Sequence, residues 1–304
     1  MARIGIIGSG NVGTNVGFFV AEQGIADVSL YDIQDGIAKG KSLDMMEAAP
    51  IRKYRTKITA AGSLAEIHGA DIIVVAVGSV RTPGMSRDDL KDKNLPVIKE
   101  LAEQLRHAPG VIILVTEPVD ILIPEFIRIS CLSPMRVMGL VGVLHSTRLR
   151  YILSRELGVS AEDVAAQVIG RDSKDMLPLY SHCTVGGIPI ELLLDTKQLD
   201  AVTEELVNAG DSIVQLAQRS SSYYAPSAAA ADLCHDILKN TGAIRSVSHL
   251  FQDAYGIRDV AMSLPCKIGK NGIEQVFQPQ LTPEQLQHLH NGAKELASLA
   301  SVSP

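Results

Sequence analysis

The sequence predicts an α/β protein: a doubly wound parallel sheet followed by a mixed α+β domain. Three observations lead there. Short β-rich apolar runs alternate with amphipathic helical stretches through the first half of the chain. A glycine-rich turn separates the first run from the first helical stretch. From about residue 164 the alternation gives way to short strand-like pieces, long helical patterns and antiparallel-looking runs.

The first half reads in order as strands over Arg3–Ile7, Val28–Tyr31, Lys57–Ala60, Ile72–Val77, Val111–Val115 and Arg136–Met138. Each is apolar, short and rich in β-branched residues, as strands covered on both faces require. Between them, Asn11–Gln23, Gly36–Glu47 and Asp88–His107 carry helical periodicity. In the second half, turn-rich pieces at Leu177–Pro189 precede helical patterns over Thr196–Gln218 and Pro226–Lys239. Extended runs follow at Val260–Ile268 and Gly272–Phe277, and a last helix at Pro283–Leu299. No Gly/Ser-rich linker marks the change near residue 145. The expected division is therefore 1–144 and 145–304, with a tight interface between the halves.

With 304 residues the chain can bury a large core, and 46% apolar with 20% charged residues describes an ordinary globular protein. A net charge of -6 gives no reason to expect nucleic-acid binding. Met1-Ala2-Arg3 runs directly into the first strand, and no apolar run has the length of a membrane span. Cys131, Cys183, Cys234 and Cys266 form no C-x-x-C pair and read as buried free thiols of a reducing compartment. A cytoplasmic protein, without membrane or nucleic-acid partners, is the expectation. No histidine pair has metal-ligand spacing with a carboxylate or cysteine, so no metal is expected; His182 reads as a core or surface residue.

Gly8-Ser9-Gly10-Asn11-Val12-Gly13 is a G-x-G-x-x-G between a strand and a helix. The glycines allow a tight turn and close approach of a pyrophosphate, whose charge the helix N-terminus stabilises. The second strand ends at Tyr31-Asp32, where an acid can accept from both adenosine-ribose hydroxyls and repel a 2′-phosphate. These features point to a Rossmann domain that binds NAD rather than NADP. After the fourth strand, Ser79-Val80-Arg81-Thr82-Pro83-Gly84-Met85-Ser86-Arg87 puts arginines on either side of a Pro-Gly turn. A loop at a sheet's carboxyl edge, with guanidiniums able to fork onto carboxylates, suits a small anionic substrate.

That loop resembles the active-site lid of malate dehydrogenases, and the likeness extends through Val115-Thr116-Glu117-Pro118-Val119-Asp120, Gly142–Arg148, Thr184–Pro189, Tyr223–Pro226 and Gly269–Gly272. The chain is similar to the lactate/malate dehydrogenase family, on the malate side. The resemblance implies an NAD-binding Rossmann domain, reduction of a 2-oxo acid under a closing loop, and a homodimer or homotetramer. It implies that Arg81 recognises the second carboxylate of a dicarboxylate, Arg87 polarises the carbonyl and Arg148 grips the C1 carboxylate. Gly78, Asn94, Val115 and Glu117 match positions lining the cofactor.

Three positions depart from the family pattern. The family has its catalytic histidine in Gly-Gly-His-Gly-Asp and the partner aspartate in Leu-Asp-x-x-Arg; this chain reads Gly170-Arg171-Asp172-Ser173-Lys174 and Leu144-His145-Ser146-Thr147-Arg148. Asp172 thus stands at the histidine position, His145 at the aspartate position, and Glu117 where the family has asparagine. Ketone reduction needs a proton donor beside the new alkoxide, and a carboxylate beside an imidazolium is a poor one. Three readings stand: a dehydrogenase for an amino or imino dicarboxylate, whose cationic nitrogen Glu117 and Asp172 receive; a hydroxy-acid dehydrogenase in which the exchanged pair still works; and a non-catalytic NAD- or dicarboxylate-binding protein. Arg171 and Lys174 read as counter-charges to Glu117 and Asp172.

Overall fold

The computed structural model describes residues 2–79, 85, 87–173, 175–218 and 222–301, with backbone alone at 87, 88, 300 and 301. Strands β1 (Arg3–Ile7), β2 (Asp27–Tyr31), β3 (Ile58–Ala60), β4 (Ile72–Val75), β5 (Val111–Leu114) and β6 (Val137–Gly139) are parallel. Their order is β3-β2-β1-β4-β5-β6, so the winding reverses between β1 and β4 and opens a crevice at the strands' carboxyl ends. Helices α1 (Asn11–Glu22), α2 (Asp35–Arg52), α3 (Leu64–His68), α4 (Arg87–Gln104), α5 (Val119–Ser130) and α6 (Val141–Leu157) complete the first half and begin the second. The central strands β4 and β5 are apolar throughout because both faces are covered. Ile4, Ile6, Val28, Leu30, Ile72 and Val74 pack on one side. Ile7, Ile73, Val75, Ile112 and Leu114 pack on the other.

After α6, the short strands β7 (Val164–Ala165), β8 (Val168–Ile169), β9 (Leu177–Pro178), β10 (Thr184–Val185) and β11 (Ile188–Pro189) make two small antiparallel sheets, β11-β10-β7 and β8-β9. Helices α7 (Thr196–Ala217) and α8 (Tyr224–Lys239) follow, then β12 (Ile244–Leu250), β13 (Ala261–Gly269), β14 (Gly272–Val276) and α9 (Pro283–Ser301). The last three strands do not form a separate sheet. β12 pairs with β6 at Ser248 and Gly139, which gives one nine-stranded sheet ending in β14-β13-β12. Helix α8 lies against α1, where Ser227 Oγ donates to the Val12 carbonyl at 3.0 Å.

The sequence pattern does not single out α5, α6 or β12. Helix α5 is buried along most of its length and contains Pro124, a residue that argues against a helix interior when read in sequence. Strand β12 carries Ser246, Ser248 and His249, all buried, because the two serines bond to other buried groups. Helix α2 runs on to Arg52 through Pro50, five residues beyond the Glu47 that periodicity indicates. Cys131 is exposed, whereas Cys183, Cys234 and Cys266 are buried; burial raises these three thiols' pKa values, consistent with inert core residues.

Candidate active site

The turn after β1 is built for close approach. Gly8 has φ +99°, and a Cβ there would run into the backbone of Ala76 in the neighbouring strand's extension. A Cβ at Gly13 would overlap the Gly8 carbonyl oxygen, so α1 can come this near to β1 only with glycine. Gly10 caps α1 without any side-chain hydrogen bond, and no acid sits in the first helical turn. That end of the helix is left to an external anion. Asp32 is already oriented: its Oδ2 accepts from the Ser9 N–H at 2.8 Å and its Oδ1 from Gln34 N–H at 3.0 Å. Gly8, Gly10, Tyr31, Asp32 and Gly78 line one cavity of about 430 Å³, ample for an adenosine half.

Asn94 ties the next loops together. From the first half of α4, fully buried, its Nδ2 donates to the Glu117 carbonyl at 2.7 Å and its Oδ1 accepts from Ser79 N–H at 2.7 Å. It fixes backbone on both sides of the crevice. Gly78, at φ +104°, passes over this amide so closely that a Cβ would collide with it. A cleft of about 80 Å³ then runs between Val12, Gly78, Val115 and Glu117 on one side and Ser222 and Pro226 on the other. Val115, Glu117, Ser222 and Pro226 also line the next, innermost pocket of about 60 Å³.

His145, Arg148 and Asp172 converge on that innermost pocket with Glu117. Helix α6 presents His145 and Arg148 from adjacent positions of one face, three residues apart. Asp172 comes from the turn after β8. His145 Nε2 lies 3.0 Å from Asp172 Oδ1, with only 4% and 12% of the two side chains exposed. The ring's other nitrogen, Nδ1, is buried without a hydrogen-bond partner among the described residues. A neutral ring that donates from Nε2 to Asp172 satisfies this geometry; a proton on Nδ1 would be a buried unpaired donor, worth about 1–3 kcal/mol of penalty.

A third carboxyl lies behind the pair. Asp120, in the first turn of α5, accepts the Asp172 N–H with Oδ2 at 2.7 Å and the Ser248 hydroxyl with Oδ1 at 2.7 Å. Ser248 Oγ is in turn 2.9 Å from Ser263 Oγ. Burial pushes the Asp120 carboxyl up to about 7; the Asp172 charge adds to this, while its hydrogen bonds and the Arg171 charge oppose it. No residue pattern singles out Asp120 for this place, although it ends the Val115–Asp120 segment. Its partners, Asp172 and Ser248, are 52 and 128 residues away.

Other expectations fare differently. Arg171 forms ion pairs with Asp175 and with Glu295 of α9. The turn after β8 brings the guanidinium to α9. Lys174 and Arg81 lie outside the described residues. Arg87 opens α4, and its side chain is not described. His182 is exposed beside Ser181. Among the described residues no group of three His, Cys, Asp or Glu side chains could hold a metal ion. Nor is any helix long and apolar enough to cross a membrane.

Two family models match nearly all of the chain: lactate/malate dehydrogenase, NAD binding domain, over residues 2–139, and lactate/malate dehydrogenase, alpha/beta C-terminal domain, over residues 143–301. A malate dehydrogenase of Synechocystis is 36% identical across 99% of this chain and 95% of its own length. The solved malate dehydrogenase of Picrophilus torridus superposes with a TM-score of 0.94 at 34% identity, covering 99% of this chain and 97% of that one. A Cryptosporidium parvum lactate dehydrogenase, solved with lactic acid and NAD, gives a TM-score of 0.95 at 30% identity, covering 100% and 99%.

Proposed function

The chain belongs to the lactate/malate dehydrogenase family and takes NAD as its cofactor; on that premise we propose that it oxidises and reduces a small dicarboxylic 2-hydroxy/2-oxo acid, or the corresponding amino/imino acid. The observation that carries this reading is the His145–Asp172 contact of 3.0 Å, in a pocket shared with Arg148 and open to the cofactor cleft. The nicotinamide cofactor, when bound, would supply hydride-transfer chemistry. Arg148 holds the C1 carboxylate, Arg81 the distal carboxylate and Arg87 the reacting group, while the His145–Asp172 pair exchanges the proton. The lid from Ser79 to about Asn94 excludes water when it closes. The proposal keeps residues 1–144 as the dinucleotide-binding part and 145–304 as the substrate part.

The test is NADH oxidation by oxaloacetate, with NADH affinity followed by fluorescence. Arg148→Ala should remove most acid binding, a loss of about a hundredfold or more for a charge-assisted bidentate contact, with NADH affinity retained. A parallel loss of NADH affinity would make Arg148 structural. NADH binding with no turnover of any small acid would identify a binding protein instead. We also propose a cytoplasmic homo-oligomer: Leu43 and Ile51 on α2 and Leu216 on α7 are exposed at 61%, 82% and 86%. Sedimentation as a monomer would reject that assembly.

A further inference from the structure

We infer that Asp120 is a positioning residue for the proton-exchanging pair: it fixes the turn that presents Asp172 to His145, and its charge tunes the pair. This deepens the dehydrogenase reading and rests on it. The turn after β8 is fastened at two points. Gly170 exchanges both backbone hydrogen bonds with Ser263 of β13, at 3.0 and 2.8 Å. Further along, the Asp172 N–H donates to Asp120 Oδ2 at 2.7 Å. The two fastenings are joined, because Asp120 Oδ1 accepts from Ser248, whose hydroxyl is 2.9 Å from Ser263 Oγ. Asp172 is thereby held from behind while its Oδ1 lies 3.0 Å from His145 Nε2.

A neutral amide could hold the same turn, its oxygen accepting the Asp172 N–H and its nitrogen donating to Ser248. A carboxyl only 4% exposed carries a desolvation cost that anchoring alone does not require. Its two bonds go to a backbone N–H and a hydroxyl, not to a cation. What the carboxyl adds is a charge that comes and goes. Burial lifts it to about 7, and the charge of Asp172 disfavours its ionised form. That repulsion is mutual, so an ionised Asp120 makes the pair hold its proton more tightly. The charged groups around it are Asp172 and Arg171 from the turn after β8, His145 of α6 beyond Asp172, and Glu295 of α9. Strands β12 and β13 meet it with the hydroxyls of Ser248 and, through that, Ser263. A cavity of about 310 Å³, lined by Asp120, Asp172, Arg171 and Glu295, has room for the water through which Asp120 exchanges its proton.

The experiment follows malate oxidation and oxaloacetate reduction by the full-length protein against pH, with NADH affinity read by fluorescence. Asp120→Asn mimics the protonated acid, so its rates should converge on those of the unmodified protein below about 7 and diverge above it. The midpoint of its pH profile should lie lower by about half a pH unit or more, about threefold in proton affinity. Asp120→Ala should lower kcat by about tenfold or more, with KM and NADH affinity changed far less. If that variant does not bind NADH, Ser248→Ala serves, with the same split and a smaller loss of kcat. An Asp120→Asn profile that superposes on the unmodified one overturns the inference and leaves the dehydrogenase reading standing. So does a parallel fall of kcat and NADH affinity at every pH in the other variants. An unmodified protein that binds NADH but turns over no small acid overturns the dehydrogenase reading. The ring titration of His145, followed by NMR, then decides the inference: it moves to lower pH in Asp120→Asn if the charge tunes the pair, and an unshifted titration overturns it.

Discussion

At the scale of single residues, two buried titratable groups set opposite pH slopes. Asp120, pushed up to about 7 by burial, binds its proton more tightly folded than unfolded. It therefore withdraws stability as pH rises from about 4 to about 7. His249 is lowered to about 4, again by burial; its Nδ1 lies 3.2 Å from the Val247 carbonyl and 3.7 Å from Cys266 Sγ, beside the Phe251 ring. It withdraws stability as pH falls from about 6.5 to about 4. At about 1.4 kcal/mol per unit, each slope amounts to a few kcal/mol, and they largely offset each other. Asp120→Asn should leave denaturation midpoints that rise with pH across this window, and His249→Gln midpoints that fall. Curves parallel to the unmodified protein would show that neither group titrates as its burial demands. If Asp32 receives the adenosine ribose, Asp32→Ser should weaken NADH by about tenfold and bring NADPH close to parity. Unchanged preference between the two nucleotides would place discrimination elsewhere.

At the scale of elements, glycine contacts and one buried amide govern how loops meet. Gly13→Ala must push α1 away from the Gly8 carbonyl. The expected result is a loss of about 1–3 kcal/mol in stability and loss of NADH binding, measured by denaturation and fluorescence. Asn94→Ala removes the bonds to Ser79 and Glu117 and leaves their backbone groups without this partner. NADH affinity and turnover should both fall, because the amide braces both walls of the crevice; a change in one alone would limit its role to that wall. The same scale shows what periodicity can convey. The central parallel strands β4 and β5 announce themselves because both faces are apolar. Strand β12 does not, since its serines are buried for their hydrogen bonds to Val168 and Asp120.

At the scale of the whole molecule, the two halves share one sheet. The register of β12 on β6 brings Ser248 opposite Gly139 and so delivers the Ser248 hydroxyl to Asp120. A Cβ on Gly139 would press on Val119 and on Ser248. Gly139→Val should therefore disturb cofactor and substrate halves together, with one cooperative but earlier unfolding transition. Two separated transitions would mean that the halves unfold independently despite the shared sheet.

Sequence alone determined the alternation of strands and helices, the glycine-rich turn, the place of Asp32 at the end of the second strand, and the family. These depend on short-range rules: allowed backbone angles, side-chain periodicity and the fixed spacing of a turn from a helix. Only the tertiary structure decided that His145 meets Asp172 at 3.0 Å, that Arg171 pairs with Asp175 and Glu295, and that Asp120 lies buried behind the pair. Each of these depends on charges brought together across the chain and on how much water the packing leaves around them, which no local pattern of residues encodes.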